Sequence, residues 1–198
     1  MANVTSHPTS HLATPPSQPF VLPGRYSWAD FQTLEGIIRQ ESKLRITYLD
    51  GVIELMPTGE EHESIKSMLG LLIELYLFNQ GIEFLPVGSA TRSSEEDEVS
   101  FEPDESYYLG EKKEHPDLAI EVNITSGSPQ KLEKYKRLKI REVWMWSDKK
   151  LSIYALEGND YQLIDRSQLL PTLDPKLLES CVVLPSRLEA INRFNSSL

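Results

Sequence analysis

Cysteine is all but missing from this 198-residue chain. The single Cys181 excludes a disulfide framework and any cysteine-rich zinc site. The chain therefore reads as an intracellular, cytoplasmic protein that needs no oxidation to fold. Long apolar runs are missing too. The longest, Met68 to Phe78, is interrupted by Glu74 and falls short of the roughly 20 residues that cross a bilayer, so no membrane is expected. The N-terminus lacks the basic and apolar regions of a secretory signal, which leaves the sequons at Asn3, Asn123 and Asn195 without meaning. Positive charge is in deficit, with 20 Lys and Arg against 30 Asp and Glu and a net charge of −10. A general nucleic-acid binder is usually basic; an acidic chain can still carry a local basic patch, a carboxylate-lined metal site, or simply a well-solvated surface. There is no glycine-rich phosphate loop and no nucleophile-elbow serine, and Cys181, without an evident His partner, reads as core.

Residues 1 to 24 hold no Asp, Glu, Lys or Arg but five of the thirteen prolines. That composition predicts a disordered Pro/Ser/Thr-rich tail over 1–24. His7 and His11 lie in it and are discounted as ligands. The rest, 25–198, has the length and composition of a single domain.

Patterning fills that domain. Ser27 with Asp30 resembles an N-cap with a short capping acid, and Trp28, Phe31, Leu34 and Ile38 follow at helical spacing. Leu44 to Leu49 alternates, Asp50-Gly51 is a favoured hairpin turn, and Val52 to Met56 returns. A helix is predicted from about His62 to Phe78, ended by Gly81. Strands are predicted at Ile82 to Val87, around Phe101 to Tyr108 after an acidic loop at Glu95 to Glu98, and at Leu118 to Ile124. Ser128 and Pro129 open a second helix running to about Lys139. Strands at Val143 to Trp146, Leu151 to Leu156 and Tyr161 to Ile164, then short helices near Pro175 to Cys181 and Ser186 to Phe194, complete the chain. The order predicts an α/β (α+β) fold, a mixed sheet flanked by helices.

The chemistry concentrates between Glu102 and Trp146. Glu121 falls inside the apolar strand Leu118 to Ile124, where a carboxylate is costly unless paired or bound to a cation. Alternation turns it away from the face of Ile120 and Val122. If a neighbouring strand sets Asp104 beside it, the two charges repel, and a divalent ion resolves the repulsion. Mg²⁺ is typically held by one or two carboxylates with water and substrate phosphate. There it polarises a phosphoryl oxygen and supplies hydroxide. The plainer alternative is a strand Glu on an open face or paired to lysine.

Six basic residues, Lys131, Lys134, Lys136, Arg137, Lys139 and Arg141, then accompany one acid, Glu133. Leu132, Tyr135 and Leu138 form the buried stripe, and most of the cations read as a solvated face. Lys131 differs, because a cation in a first helical turn is disfavoured by roughly 0.3–1 kcal/mol, a cost that a nearby carboxylate site would offset. His115, among Lys112, Lys113 and Glu114, reads as surface.

Four segments carry a resemblance. Tyr48 to Met56 with Glu61-His62-Glu63, Glu102 to Tyr108, Pro116 to Val122, and Lys131-x-x-x-Tyr135 with Glu142-Val143-Trp144 together resemble the Uma-two (Uma2) family of restriction endonucleases. The ordered matches run from about Ser27 to Leu156. The resemblance implies a restriction-endonuclease-like PD-(D/E)XK core over about 62–147, with the N-terminal helix and hairpin preceding it. It maps Asp104 and Glu121 to metal ligands for Mg²⁺ or Mn²⁺. The superfamily's lysine two residues after the Glu is here Asn123; the family carries its lysine on the following helix, which falls on Lys131. Glu54 and His62 stand in family-like positions. Glu54 either completes the carboxylate cluster or is an exposed strand residue. His62 either orients a ligand or phosphate, or caps and packs. Asp117, only four residues before Glu121, reads as a strand-start residue.

The resulting expectation is a metal-dependent endonuclease acting on nucleic acid, DNA first, with a homodimer suggested by fold analogy. The alternatives are a catalytically inactive nuclease-fold protein serving as an interaction module, favoured by Asn123 and the net charge, and a nucleic-acid-binding module without cleavage.

Overall fold

The computed structural model describes residues 19–41, 44–57, 59–123 and 131–198. Most of the expected tail, and the expected helix start at Ser128-Pro129, lie outside the described residues. Phe20–Val21, placed in the tail by composition, instead form a short strand β1 that pairs with Leu55 and Glu54.

The N-terminal capping pattern is realised. Ser27 Oγ and Asp30 exchange hydrogen bonds, with the Ser27 hydroxyl donating to Asp30 Oδ2 at 2.6 Å and Asp30 N donating back to Ser27 Oγ at 3.2 Å. Helix α1 (Trp28–Glu41) follows. It lays Trp28, Phe31, Leu34 and Ile38 on the hairpin of β2 (Leu44–Leu49) and β3 (Val52–Pro57). The turn has positive φ at both central residues, 47° at Asp50 and 80° at Gly51, the signature of a type I′ turn.

The strands fall into two sheets rather than the one expected. Helix α2 (Glu60–Asn79) leads to β4 (Phe84–Pro86), β5 (Arg92–Ser94), β6 (Val99–Phe101), β7 (Glu105–Leu109) and β8 (Leu118–Asn123). The chain continues through α3 (Leu132–Arg137), β9 (Glu142–Ser147), β10 (Lys150–Glu157) and β11 (Asp160–Ile164). It ends with α4 (Pro175–Val182) and α5 (Arg187–Asn195). One sheet has the order β1-β3-β2-β6-β5, the other β11-β10-β9-β8-β7-β4. The strand expected over Phe101 to Tyr108 is cut in two, with β6 in the first sheet and β7 in the second. Pro103 has no N–H for a ladder, and the chain changes sheets there. The acidic loop is the turn of a β5–β6 hairpin, where Glu98 adopts φ 48°.

In the second sheet β8 runs antiparallel to β7 and parallel to β9. Every residue of β8 is buried. Ile120 and Val122, with Trp144 and Trp146 of β9, pack into a core with α2, α4 and α5. Ala119, Val143 and Met145 face the other way, onto Leu132, Tyr135, Leu138 and Phe101. Alternation therefore turns Glu121 and Asn123 toward α3.

Two other buried acids serve the architecture. Glu142 accepts from Trp144 Nε1 at 2.9 Å, Ser167 Oγ at 2.7 Å, and the backbone N–H groups of Gln168 and Leu169 at 2.6 and 3.0 Å. Asp117 accepts from Lys113 at 2.6 Å and from Leu109 N at 2.9 Å, as suits a residue entering a strand. Cys181 is buried in the main core, as expected. Among the described residues no helix is long and apolar enough to cross a membrane.

Candidate active site

Asp104 emerges from the sheet change at Pro103. Its N–H donates to Ile120 O at 3.1 Å, and Glu105 pairs with Ile120 in the ladder. Continuing that antiparallel register by one step sets Asp104 opposite Glu121. The two carboxylates are 1% and 5% exposed.

Asp104 is held by donors from three separate parts of the sequence, Glu121 by two consecutive residues of α3. Asp104 Oδ2 accepts from Val122 N at 2.7 Å and lies 3.0 Å from His62 Nε2, while Oδ1 takes the Arg45 guanidinium. Burial alone would raise the Asp104 pKa, but the His62 hydrogen bond, the Arg45 charge and the Val122 N–H outweigh it and bring it down to about 2. For His62, burial opposes protonation, and its bond to Asp104 prevails, so its pKa rises. Glu63 extends the network, 3.2 Å from His62 Nδ1, 3.6 Å from Arg45 and 3.3 Å from Lys66.

Glu121 Oε1 accepts from Lys134 Nζ at 3.0 Å and from the Tyr135 hydroxyl. Burial and the Glu121 charge push the Tyr135 pKa well up, so the phenol remains a donor. Lys134 is only 5% exposed. Its ammonium lies 5.0 Å from the Phe101 ring centroid and 5.1 Å from that of Tyr135. The expectation that the helix cations are solvated fails for Lys134. Its small surroundings are apolar and aromatic, and only the carboxylate makes its burial tolerable.

Lys131 donates to Asn123 Oδ1 at 2.8 Å. The ammonium expected two residues after Glu121 is therefore brought to that position from the next helix. Lys131, Lys134 and Glu54 share a groove of 490 Å³, walled also by Thr47, Val52 and Arg25. Glu54 faces this groove from β3, opposite Thr47 in the hairpin ladder. His115, expected on the surface, is partly buried; desolvation lowers its pKa, and among the described residues its Nδ1 has no partner.

Arg45, Lys134 and Tyr135 were not singled out by sequence reasoning. Tyr135 was read as part of the buried stripe and of a segment resembling the family, without a role at the site. Lys134 had a readable signal: it is three residues after Lys131 and four before Leu138, on the margin of the buried stripe. Arg45 had only its place in a half-buried strand.

The donors suit a hard divalent cation. One or two carboxylates are how Mg²⁺ is commonly held, and here each is already paired, Asp104 with Arg45 and Glu121 with Lys134. Among the described residues no group of three or more His, Cys, Asp or Glu could hold a metal ion, so any remaining ligands would be water and substrate.

A mixed α/β fold of two sheets flanked by helices, with buried Asp104 just ahead of β7 and Glu121 on β8 beneath a basic crossover helix, fits the restriction-endonuclease-like class. The model of the family described as "Putative restriction endonuclease" matches residues 28–186, and the chain belongs to that family, Uma2. The chain is also similar to a crystal structure described as "a putative nuclease belonging to DUF820" from Anabaena variabilis ATCC 29413. The identity is 19%, over 75% of this chain and 90% of that one, with a TM-score of 0.46. Comparison with curated proteins finds no match.

Proposed function

We propose that the chain is a Mg²⁺- or Mn²⁺-dependent endonuclease that hydrolyses phosphodiester bonds, with DNA as its substrate. The observation that most supports this is the burial of Asp104, just ahead of β7, next to the β8 strand that carries buried Glu121, with two lysine ammonium groups bonded to residues of that strand. Asp104 and Glu121 would hold the metal, which when bound would supply Lewis-acid polarisation of the phosphoryl oxygen and a hydroxide nucleophile near neutral pH. His62 and the Val122 N–H orient Asp104 and keep it ionised. Tyr135 fixes one oxygen of Glu121. Lys131 and Lys134 stabilise negative charge developing on the phosphate. Glu54, across the groove, positions the substrate strand.

Asp104→Asn and Glu121→Gln are each expected to reduce nicking of supercoiled plasmid in Mn²⁺ by about a hundredfold or more. Both variants should remain folded by circular dichroism. Full activity in both would remove the assignment. A homodimer would place two sites on one duplex; sedimentation equilibrium tests it, and a monomer that linearises plasmid would dispose of it.

A second reading has an observation of its own. Arg45 and Lys134 already neutralise the two carboxylates, and Asn123 occupies the usual lysine position. A catalytically inactive interaction module would be built this way. Such a protein would show neither cleavage nor a melting temperature that responds to Mn²⁺.

A further inference from the structure

We propose that Glu54 and Thr47 form a base-reading site in the groove between the β2–β3 hairpin and α3, and that the base it takes is an unpaired guanine. The proposal deepens the nucleic-acid reading of this chain and rests on it.

Alternation builds the site. Ile46, Tyr48, Ile53 and Leu55 turn toward α1, so Thr47, Leu49, Val52 and Glu54 present the opposite face of the hairpin. In the ladder Glu54 stands between Thr47 of β2 and Val21 of β1. All of these residues wall the 490 Å³ groove. The other charged groups that line it are engaged elsewhere. Lys134 pairs with Glu121, Lys131 donates to Asn123, Arg25 donates to the Asp50 carbonyl, and the Asp50 carboxylate pairs with Arg137. Glu54 is half-buried, yet among the described residues its carboxylate has no hydrogen bond and no ion pair. Thr47 is 8% exposed, and among the described residues its hydroxyl has no partner either. Glu54 is not a third metal ligand, since among the described residues no group of three His, Cys, Asp or Glu could hold an ion. Glutamate is a poor strand former, and a β-branched residue would suit β3 better. The fold keeps an unpaired carboxylate beside an unpaired hydroxyl where stability alone would not.

An ionised carboxylate takes only donors, and it repels phosphate. The backbone of a DNA strand offers it none, because deoxyribose within the chain has no free hydroxyl. What remains is the base. Among the four DNA bases, only guanine sets two N–H groups side by side on its pairing edge, at N1 and N2, to match the two oxygens of a carboxylate. Adenine and cytosine place a ring-nitrogen acceptor beside the amino group, and thymine flanks its N–H with two carbonyls. Each of those three turns a lone pair toward Glu54. Thr47 is directly opposite Glu54 in the ladder, a spacing of about 4.5–5.5 Å between Cβ atoms, and its hydroxyl donates to guanine O6. Val21, Leu49 and Val52 supply apolar contact for the ring. The pairing edge is open only in a single strand or in a base turned out of its duplex. The groove has the volume of a small-molecule site, which suits one base and not a paired step.

The test separates base reading from metal-dependent cleavage. Binding is measured by fluorescence anisotropy in EDTA at low salt. The probes are fluorescein-labelled oligothymidylate strands, identical except for one central guanine, adenine, cytosine, hypoxanthine or thymine. The guanine strand should bind about tenfold more tightly than the others. Hypoxanthine, which lacks the amino group at N2, should lose most of that gain. Glu54→Gln should abolish the preference while tightening binding of the all-thymine strand, because it removes negative charge from the groove. A carboxylate with only a structural role would leave the ranking of the strands unchanged. Thr47→Val keeps the shape and removes the hydroxyl; it should weaken guanine binding severalfold and leave the all-thymine strand as it was. Equal binding of all strands by the wild type, binding of none, or a guanine preference retained in Glu54→Gln overturns the site. A preference for oligouridylate over oligothymidylate that is lost in Glu54→Gln would assign Glu54 to the 2′-hydroxyl of a sugar and overturn it as well. Plasmid nicking in Mn²⁺ is scored separately. Guanine preference without cleavage in any metal leaves the site standing and removes the endonuclease reading; nicking without guanine preference does the reverse.

Discussion

Glu121 takes both Lys134 and Tyr135 on one carboxylate oxygen, so a metal arriving at Glu121 meets a resident cation. Lys134→Met removes that cation but keeps an unbranched side chain among Phe101 and Tyr135. Breaking a buried ion pair from one side costs about 3–5 kcal/mol, and the variant should melt correspondingly lower in EDTA. Mn²⁺ at Glu121 would substitute for the lost charge, so the metal should raise the melting temperature of Lys134→Met more than that of the wild type. Equal increments by calorimetry would show that lysine and metal do not share Glu121. The His62–Asp104 pair gives a pH prediction for the metal-free protein. The folded His62 pKa lies above its ordinary 6.5, so its contribution to stability is complete below about pH 6.5 and is lost as pH rises through the folded value. The folded Asp104 pKa lies below its ordinary 3.8, at about 2, so its contribution is present above 3.8 and is lost as pH falls through about 2. The melting-temperature difference between wild type and His62→Gln should therefore be greatest between about pH 4 and 6.5 and shrink on both sides; a flat difference would show that the pair is not linked to folding. Glu121 stood out because a carboxylate in an apolar strand demands a partner, whereas Asp104 and His62 were placed by the resemblance of their segments to the family. Arg45 and Lys134 were not legible, since Arg45 lies 59 residues from Asp104 and Lys134 lies 13 from Glu121, and contact across such separations depends on sheet assembly.

At the scale of elements, local chemistry was read well and pairing was not. The hairpin at Asp50-Gly51, the stop at Gly81 and the cap at Ser27 are determined by a few neighbouring residues. The division into two sheets is determined by which strands meet. Leu49 finds Val99 in the first sheet, and Ser106 finds Ala119 in the second. β5, only Arg92–Ser94, has too few residues to show alternation. Glu142 illustrates how one element fixes another. At the start of β9 it collects four donors, two of them backbone N–H groups from the 167–170 turn. That turn leads to Leu170 and Leu173, which seal the main core beside α4. Glu142→Ala leaves those donors buried and unpaired, with an expected loss of about 3 kcal/mol or more. For a chain of this size that corresponds to a fall on the order of 10 °C in melting temperature. The increment produced by Mn²⁺ should be unaffected, because Glu142 faces the core away from α3. A variant that melts like the wild type would show that the turn is held by its apolar contacts alone.

Residues of the β2–β3 hairpin, ahead of the expected 62–147 core, also reach these carboxylates and the groove beside them. Asp104 is held by Arg45 from β2 and His62 from α2, Glu121 by Lys134 and Tyr135 from α3, and Glu54 enters the groove from β3. The family match, which begins at residue 28 and ends at 186, spans both sheets for the same physical reason. Net charge of −10 then bears on how metal and nucleic acid compete for that site. Arg45 and Lys134 balance the two carboxylates, so the metal-free fold carries no large unrelieved repulsion and should remain folded in EDTA. Mn²⁺ that binds only the folded state at about a hundred times its dissociation constant adds roughly 2.7 kcal/mol, equivalent to an increase of about 5–11 °C in melting temperature for a chain of this size. The wild type should show that increase by calorimetry. Glu121→Gln, which leaves Lys134 in place and removes the ligand charge, should not. If neither protein responds, the internal cations have replaced the metal outright, and the chain is a nuclease fold that binds without cutting.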